Sequence, residues 1–543
     1  MSDTDRATTS LTDDTTAADS DATDSTDSAD STGATDSTDT SRATENRSTT
    51  PRSTAFQQYI STGWAERAPG VGGPREHAAF AAARRAPLSA MYPGVRILLP
   101  AGDARQRSND TDYPYRAHSA FAHLTGWGSD AVPGSVLVLE PGSDDGGAGG
   151  GHEAVLYFRE AAGRDSDEFY ANPAVGEFWT GPRPSVDDVA VDLGVRAQPL
   201  SALDDLWDAL DADGPETLIV REAEPSLTDR LDAARLMHAG AEPGTAEVDT
   251  ARDDELARDL SELRLVKDAF ELAELRRAVD ATHVGFDDII ADLPQIVAHP
   301  RGERLVEGTF NRRARADGNT VGYDTIAASG PHACVLHWTR NDGPVVPGDL
   351  ILIDAGVELD SYYTADITRT LPVSGEFTEV QRRVYEAVRE AADAAFAIVR
   401  PGIQFKDVHA EAMRVIARVT AEWGLLPVSA EESLSPEAGY HRRYMVHGTS
   451  HHLGLDVHDC AQARRELYLE GVLEEGMVFT IEPGLYFQPD DLTVPEELRG
   501  IGVRIEDDVV VTADGVESLS AGIPRTADEV EAWMRSLSPL PPR

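Results

Sequence analysis

Apolar positions change their rhythm several times along the chain, and each change marks an element. Residues 1–52 have almost none: Ser, Thr, Asp and Ala dominate and Leu11 is the lone large aliphatic. Such a segment cannot bury enough surface to offset the entropy of ordering it, so a disordered acidic tail is expected. From about residue 54 to 250, β-type runs (Val95 to Leu99, Ser135 to Leu139, Ala154 to Phe158) mix with helix-type runs (Leu203 to Asp211, Ser226 to Met237). That mixture predicts an α/β domain, with the Gly-rich stretch Pro141 to Gly151 as a surface loop between two strands. A polar, turn-rich break follows, Ala241 to Asp259. Beyond it Leu263, Val266, Phe270, Leu272, Leu275, Val279 and His283 recur at helical spacing, which predicts a long amphipathic helix opening a second domain. The expected organisation is a tail over 1–52, an N-terminal α/β domain over 53–255 and a second domain over 256–543, a division that 543 residues would favour in any case.

Composition narrows the function classes. A formal net charge of −47, of which −38 lies beyond residue 50, disfavours nucleic acid and anionic membranes as partners, because both require a basic surface. The first residues lack a basic-then-apolar signal pattern, and nowhere do 18 uncharged apolar residues run together, so neither standard secretion nor a membrane span is expected. Two cysteines, Cys334 and Cys460, are too few for a disulfide framework, which predicts reduced thiols and a cytoplasmic location.

The candidate chemistry lies in the last third. GDLILIDAG (Gly348 to Gly356) reads as a buried strand that delivers Asp354 at its end, where ionisation is costly without a cation. Asp366, in TADITRTLP, follows a Tyr-rich stretch able to form a hairpin that returns the chain beside Asp354. HGTSHHLGLDVHD (His447 to Asp459) carries His447, His451, His452 and His458; its glycines indicate a loop, and Gly448 stands where a zincin helix needs Glu. Of these four, His452 is not expected in the site. EEGMVFTIEPGLY ends a strand at Glu482 before Pro483, and GIGVRIEDDVVVT alternates so that Arg504 and Glu506 share one face. Each acid alone has an ordinary structural explanation. Together, four carboxylates and one imidazole suit two divalent ions sharing oxygen ligands better than one structural zinc.

These motifs resemble those of the pita-bread metallopeptidases, and DTDYPYRAHSAFAHLTGW (Asp110 to Trp127), HWTRND (His337 to Asp342) and RGIGVRIEDD (Arg499 to Asp508) are most similar to the bacterial aminopeptidase P group within that family. The resemblance covers roughly the chain from residue 75 onward. It implies an α/β N-terminal domain followed by an α+β pita-bread catalytic domain, and two divalent metal ions, most readily Mn2+. Asp366 and Glu506 would bridge the ions, Asp354 would complete one shell, and His451 and Glu482 the other. The implied activity is release of the N-terminal residue from peptides with proline second, by attack of a metal-bridging hydroxide, with Glu482 managing its proton. His458 would stand by the scissile carbonyl, His447 and His337 would line the pocket, Arg504 would orient an acid, and Tyr486 would lie beside the proline. Asp110 and Trp179 match positions that reach a neighbouring subunit's site, which implies a homo-oligomer. Alternatives are a prolidase, limited to Xaa-Pro dipeptides, and a non-catalytic peptide-binding member of the fold. Two features depart from the family pattern: the Asp354 to Asp366 interval is one residue long, which predicts a bulge, and CAQARREL after His458 leaves open whether Arg464 or Arg465 contacts substrate.

Overall fold

The computed structural model describes residues 50–67, 70, 72–109, 111–142, 151–210, 214–240 and 247–538, and of 208–210 the backbone only. The expected tail over 1–49, the middle of the Pro141 to Gly151 loop and the candidate Asp110 lie outside the described residues. The described residues fall into two units, divided between Thr62 and Gly63. In the first, Ser53 caps the helix Thr54–Ile60 by accepting the Phe56 N–H at 3.2 Å.

The larger unit begins with a mixed five-stranded sheet, ordered Arg196–Pro199, His152–Phe158, Val136–Pro141, Arg96–Pro100 and Thr217–Ile219. The two central strands carry buried aliphatic runs, Ile97 to Leu99 and Val136 to Leu139, as a sheet covered on both faces requires. Where the sequence shows a polar break, the structure has a helix, Ala251–Glu262. It is amphipathic in an unusual way: buried Asp253 accepts the Ile219 N–H at 3.1 Å and binds Arg221 and Arg235, tying the helix to the sheet edge. The long helix expected from Leu263 starts instead at Ala269 and runs to Ala298. Asp268 decides this start, since its carboxylate accepts the Phe270 and Glu271 N–H groups while Glu271 bonds back to the Asp268 N–H, a full capping box. Val266, in the preceding turn, pairs with Met477 instead.

The remainder repeats one plan. The helix pair Ala269–Ala298 and Gly302–Asp317 leads into the antiparallel sheet Ile326–Ser329, Leu350–Ala355 and Ile367–Pro372. A second helix pair, Glu379–Ile398 and Phe405–Glu422, leads into strands Val478–Ile481, Gly484–Tyr486, Gly502–Arg504 and Asp507–Val511. Helices and strands of both halves share one apolar core, so the inner strands are held from behind and their polar ends meet in front of it. No described helix is long and apolar enough to cross a membrane.

Candidate metal centre

Each of the five acids and imidazoles is placed by a distinct local device. Asp354 stands one residue from the end of Leu350–Ala355, paired with Thr368 and Ile326. Asp366 directly precedes Ile367–Pro372 on the adjacent strand, and its N–H donates to Asp508 Oδ2 at 3.1 Å. The bulge expected between them does not form: pairing from Leu350–Pro372 to Ala355–Ile367 runs without a register shift. The extra residue is taken up in the turn, where Tyr362 adopts φ +72° and its N–H bonds Leu359 O at 2.8 Å.

The strand expected over Gly500 to Thr512 is divided at Ile505 and Glu506, opposite the break at Glu482 and Pro483 in the neighbouring strand. Proline offers no N–H, so the ladder cannot run through it. The freed backbones pair elsewhere, Glu482 N–H with Thr449 O at 2.9 Å and Glu506 N–H with Thr368 O at 3.1 Å. Both glutamates thereby face the two aspartates. His451 comes from the irregular 447–459 segment, with its Nδ1 3.2 Å from His452 O and its Nε2 3.2 Å from Asp366 Oδ2. A proton on Nδ1 would leave Nε2 as the ligand atom. Among the described residues, ligand atoms of Asp366, His451 and Glu506 lie within 4.8 Å of one another.

The charges of the site call for cations. Asp354, Asp366, Glu482 and Glu506 share a cavity of about 700 Å³ with a single guanidinium, Arg504. Burial pushes Glu482 up to about 7. Burial and the neighbouring Asp366 carboxylate push Glu506 well above the usual carboxylate range. Burial also raises Asp354, against the pull of Arg504. For His451, burial works downward, but Asp366 and Glu482 outweigh it and hold the imidazole near 9. Acids crowded in this way need cations or protons, and a set of oxygens with one imidazole suits divalent metal ions.

Around this core, Arg504 bonds Asp354 Oδ2, Thr368 Oγ1 at 3.0 Å and Tyr486 Oη at 3.2 Å, and Thr368 Oγ1 donates to Glu506 Oε2 at 2.6 Å. His337, His447 and His458 line the cavity, the His458 ring 4.5 Å from that of His451. Burial and Arg504 lower His447 to about 3, so it is a neutral imidazole near pH 7. Tyr486, expected at the cavity wall, lies one layer back, buried, its hydroxyl 2.8 Å from His447 Nε2. Trp179 is 56% exposed and donates to Tyr170 O at 2.7 Å. Arg464 pairs with Glu262 and Arg465 with Glu470; neither lines the cavity. His452 packs in the core against Phe405 and Tyr468.

Three residues were not singled out from the sequence. Tyr323 Oη lies 2.6 Å from Asp354 Oδ1 and 2.5 Å from Asp366 Oδ1, so its single proton serves two carboxylates. Asp508, fully buried behind Asp366, and Tyr468, on the cavity wall, complete the surroundings. GYDT offers no periodic signal for Tyr323, whereas Asp508, the last acid of IEDD, shares the alternating face of Glu506.

Comparison with known proteins gives the same picture. Residues 273–513 match the model of metallopeptidase family M24, and residues 80–219 match that of the aminopeptidase P N-terminal domain. The chain is 51% identical over 483 residues to Xaa-Pro aminopeptidase 2 of Streptomyces coelicolor, covering 89% of this chain and 96% of the relative. It is 34% identical to the Xaa-Pro aminopeptidase of Escherichia coli, covering 84% and 97%. The low-pH structure of E. coli aminopeptidase P superposes with a TM-score of 0.70 at 33% identity over 85% of this chain and 98% of that one, and Pseudomonas aeruginosa aminopeptidase PepP with 0.71 at 34% over the same shares. The N-terminal domain, the pita-bread fold and the metallopeptidase motifs thus all agree: the chain belongs to the aminopeptidase P family of M24 metallopeptidases.

Proposed function

We propose that this protein removes the first residue from peptides with proline in the second position, at a centre held by Asp354, Asp366, His451, Glu482 and Glu506. The observation that carries the reading is the convergence of those five side chains with His337, His447 and His458 in one cavity of a chain whose relatives are Xaa-Pro aminopeptidases. Two divalent cations held there, manganese being the metal we favour for so carboxylate-rich a set, would supply Lewis acidity and make water nucleophilic near neutral pH. The chain does the rest. Glu482, brought against the two aspartates at the break in its strand, can take a proton and pass it to the departing proline nitrogen. His458 and His337 can donate to the carbonyl oxygen as it gains charge. His447, fixed by Tyr486, faces the substrate as a neutral group.

A proline amide has no N–H, so the apolar stretch of wall formed by Ile326, Leu336 and Val457 asks for no lost hydrogen bond from it. We further read the protein as a homo-oligomer, supported by Phe178 and Trp179, which stand 63% and 56% exposed on one short helix. The decisive experiment is metal analysis and sedimentation of the purified enzyme with a panel of Xaa-Pro-Yaa tripeptides and Xaa-Pro dipeptides, on wild type and Asp366→Ala. Tripeptide cleavage by an oligomer is expected, with Asp366→Ala losing bound metal and at least about a hundredfold in kcat/KM, the upper range for losing even an outer partner of a metal. Cleavage of dipeptides alone, or full activity and metal content in Asp366→Ala, would overturn the reading; a monomer would remove the oligomer from it.

A further inference from the structure

His337 is the cavity histidine with the least support of its own. It is exposed, and its imidazole makes no hydrogen bond with any described residue, so its position is set entirely by its backbone. That backbone belongs to the long connection between the strands Ile326–Ser329 and Leu350–Ala355, which without internal ladder bonds needs anchors of another kind.

The anchor is one carboxylate. Glu303, in the first turn of Gly302–Asp317, has no exposed surface and accepts four hydrogen bonds, one from the end of the strand Ile326–Ser329 and three from the connection that carries His337. Its Oε1 takes the Ser329 N–H at 2.8 Å and His332 Nδ1 at 2.7 Å; its Oε2 takes Trp338 Nε1 at 3.0 Å and the Gly343 N–H at 2.6 Å. The His332 and Trp338 rings stack at 3.8 Å, so two of the donors also brace each other. Trp338 adjoins His337, and Leu336 and Trp338 pack on the small apolar cluster of Ile326, Ala328, Cys334 and Tyr486. The same helix adds Glu307, one turn on, which accepts Asn341 Nδ2 at 3.1 Å, and Arg304, which donates to Arg340 O at 3.0 Å. Gly302 permits the close approach, since a Cβ there would meet Val345 N at 2.9 Å.

We propose that Glu303 is a positioning residue for His337, acting through the loop it clamps. The inference rests on the role given to His337 above. A carboxylate fits because all four of its partners donate; a glutamine of the same shape would turn an NH2 group against two of those donors. Glu303 therefore does something no neutral isostere can do.

The test is a double-mutant cycle in the metal-loaded full-length enzyme, with Glu303→Gln, His337→Ala and the double variant assayed on Xaa-Pro-Yaa tripeptides and checked for metal content. Trp338→Phe, which removes one donor and keeps the ring, serves if Glu303→Gln does not fold. Glu303→Gln is expected to lose about tenfold or more in kcat/KM with its metal retained, and to cause no further loss once His337 is already Ala; Trp338→Phe should show the same dependence on His337 with a smaller loss. Losses that multiply in the double variant, as a general structural role predicts, would overturn the proposal alone. Full activity in His337→Ala would overturn both the proposal and the role of His337 on which it rests.

Discussion

Arg504 holds three unlike acceptors with one guanidinium: the Asp354 carboxylate, the Thr368 hydroxyl and the Tyr486 hydroxyl, the last two passing its orientation on to Glu506 and His447. A lysine there would keep the charge but could not span that fork. Arg504→Lys is therefore expected to fold and to bind divalent metal about 10–100-fold more weakly, the range for an outer partner of a metal ligand. Titration calorimetry with Mn2+ reads this directly, and unchanged affinity would show that the planar fork is irrelevant. Arg504 was visible in the sequence because strict alternation in GIGVRIE places it on the face of Glu506. Tyr323 was not, although it lies closer to both aspartates than Arg504 does to Glu506's partner Thr368. A tyrosine in a turn between strands carries no pattern, and only the folded register brings it to acids 31 and 43 residues away. Tyr486 was legible as a neighbour of the site but not as a support standing behind His447, because sequence distance says nothing about depth.

The turn joining the two aspartate-bearing strands holds a strained residue. Its left-handed Tyr362 costs on the order of 1–2 kcal/mol for a residue with a Cβ, so something must hold it. The holders come from the N-terminal part. Tyr362, fully buried, accepts the Ala117 N–H at 3.2 Å, Arg116 stands 4.7 Å over its ring and binds Glu358 at 2.8 Å, and Ser129 and Asp360 bond through side chains at 2.7 Å. Tyr363 and Ser361 reach Glu271 and Glu274 of the long helix. Removing only the hydroxyl, Tyr362→Phe, leaves the Ala117 N–H buried without that partner. It is expected to lower unfolding stability by about 1–3 kcal/mol in urea or thermal melts. A loss within error would mean that the ring alone fixes the turn. The spacing anomaly that exposes this turn could be read from residue numbers, and so could elements with clean periodicity, such as Leu203–Leu210. The helix Ala251–Glu262 could not, because its buried face carries Asp253 and polar composition masks its docking. The start at Ala269 was likewise hidden, since a capping box overrode an apolar rhythm that continued upstream of it.

At the scale of the whole molecule, the acids concentrated behind the cavity make stability depend on pH and metal together. Without metal, Glu482 binds its proton up to about 7 in the folded state against 4.5 in the open chain, and burial together with Asp366 raises Glu506 and Asp508 well above the usual carboxylate range. His451, near 9 against 6.5, adds stability that is full below 6.5 and lost as pH rises. In each case the folded state carries more protons than the unfolded one, so stability falls with rising pH across that interval. Groups of the opposite kind do not cancel the fall above pH 7. Burial lowers His447 and His452 to about 3, so their gain with pH is complete once the open-chain value of 6.5 is passed. Glu271, near 2 despite burial because His123 and Arg84 outweigh it, contributes stability that is already fully present well below pH 7. Between pH 7 and 8.5 the slope therefore comes mainly from the cavity, with a smaller part from the thiols of Cys334 and Cys460, which burial pushes up to about 12 from 9 in the open chain. With chelator present, Tm is expected to fall across that interval; with saturating Mn2+ it should stay nearly level, because the metal takes the place of the protons. The stabilisation by metal should thus be larger at pH 8.5 than at 7, on a scale of about 2.7 kcal/mol when free metal exceeds its Kd a hundredfold. Parallel Tm curves with and without metal would mean that these acids do not bind it, and Asp366→Ala should render the two curves parallel by removing the site.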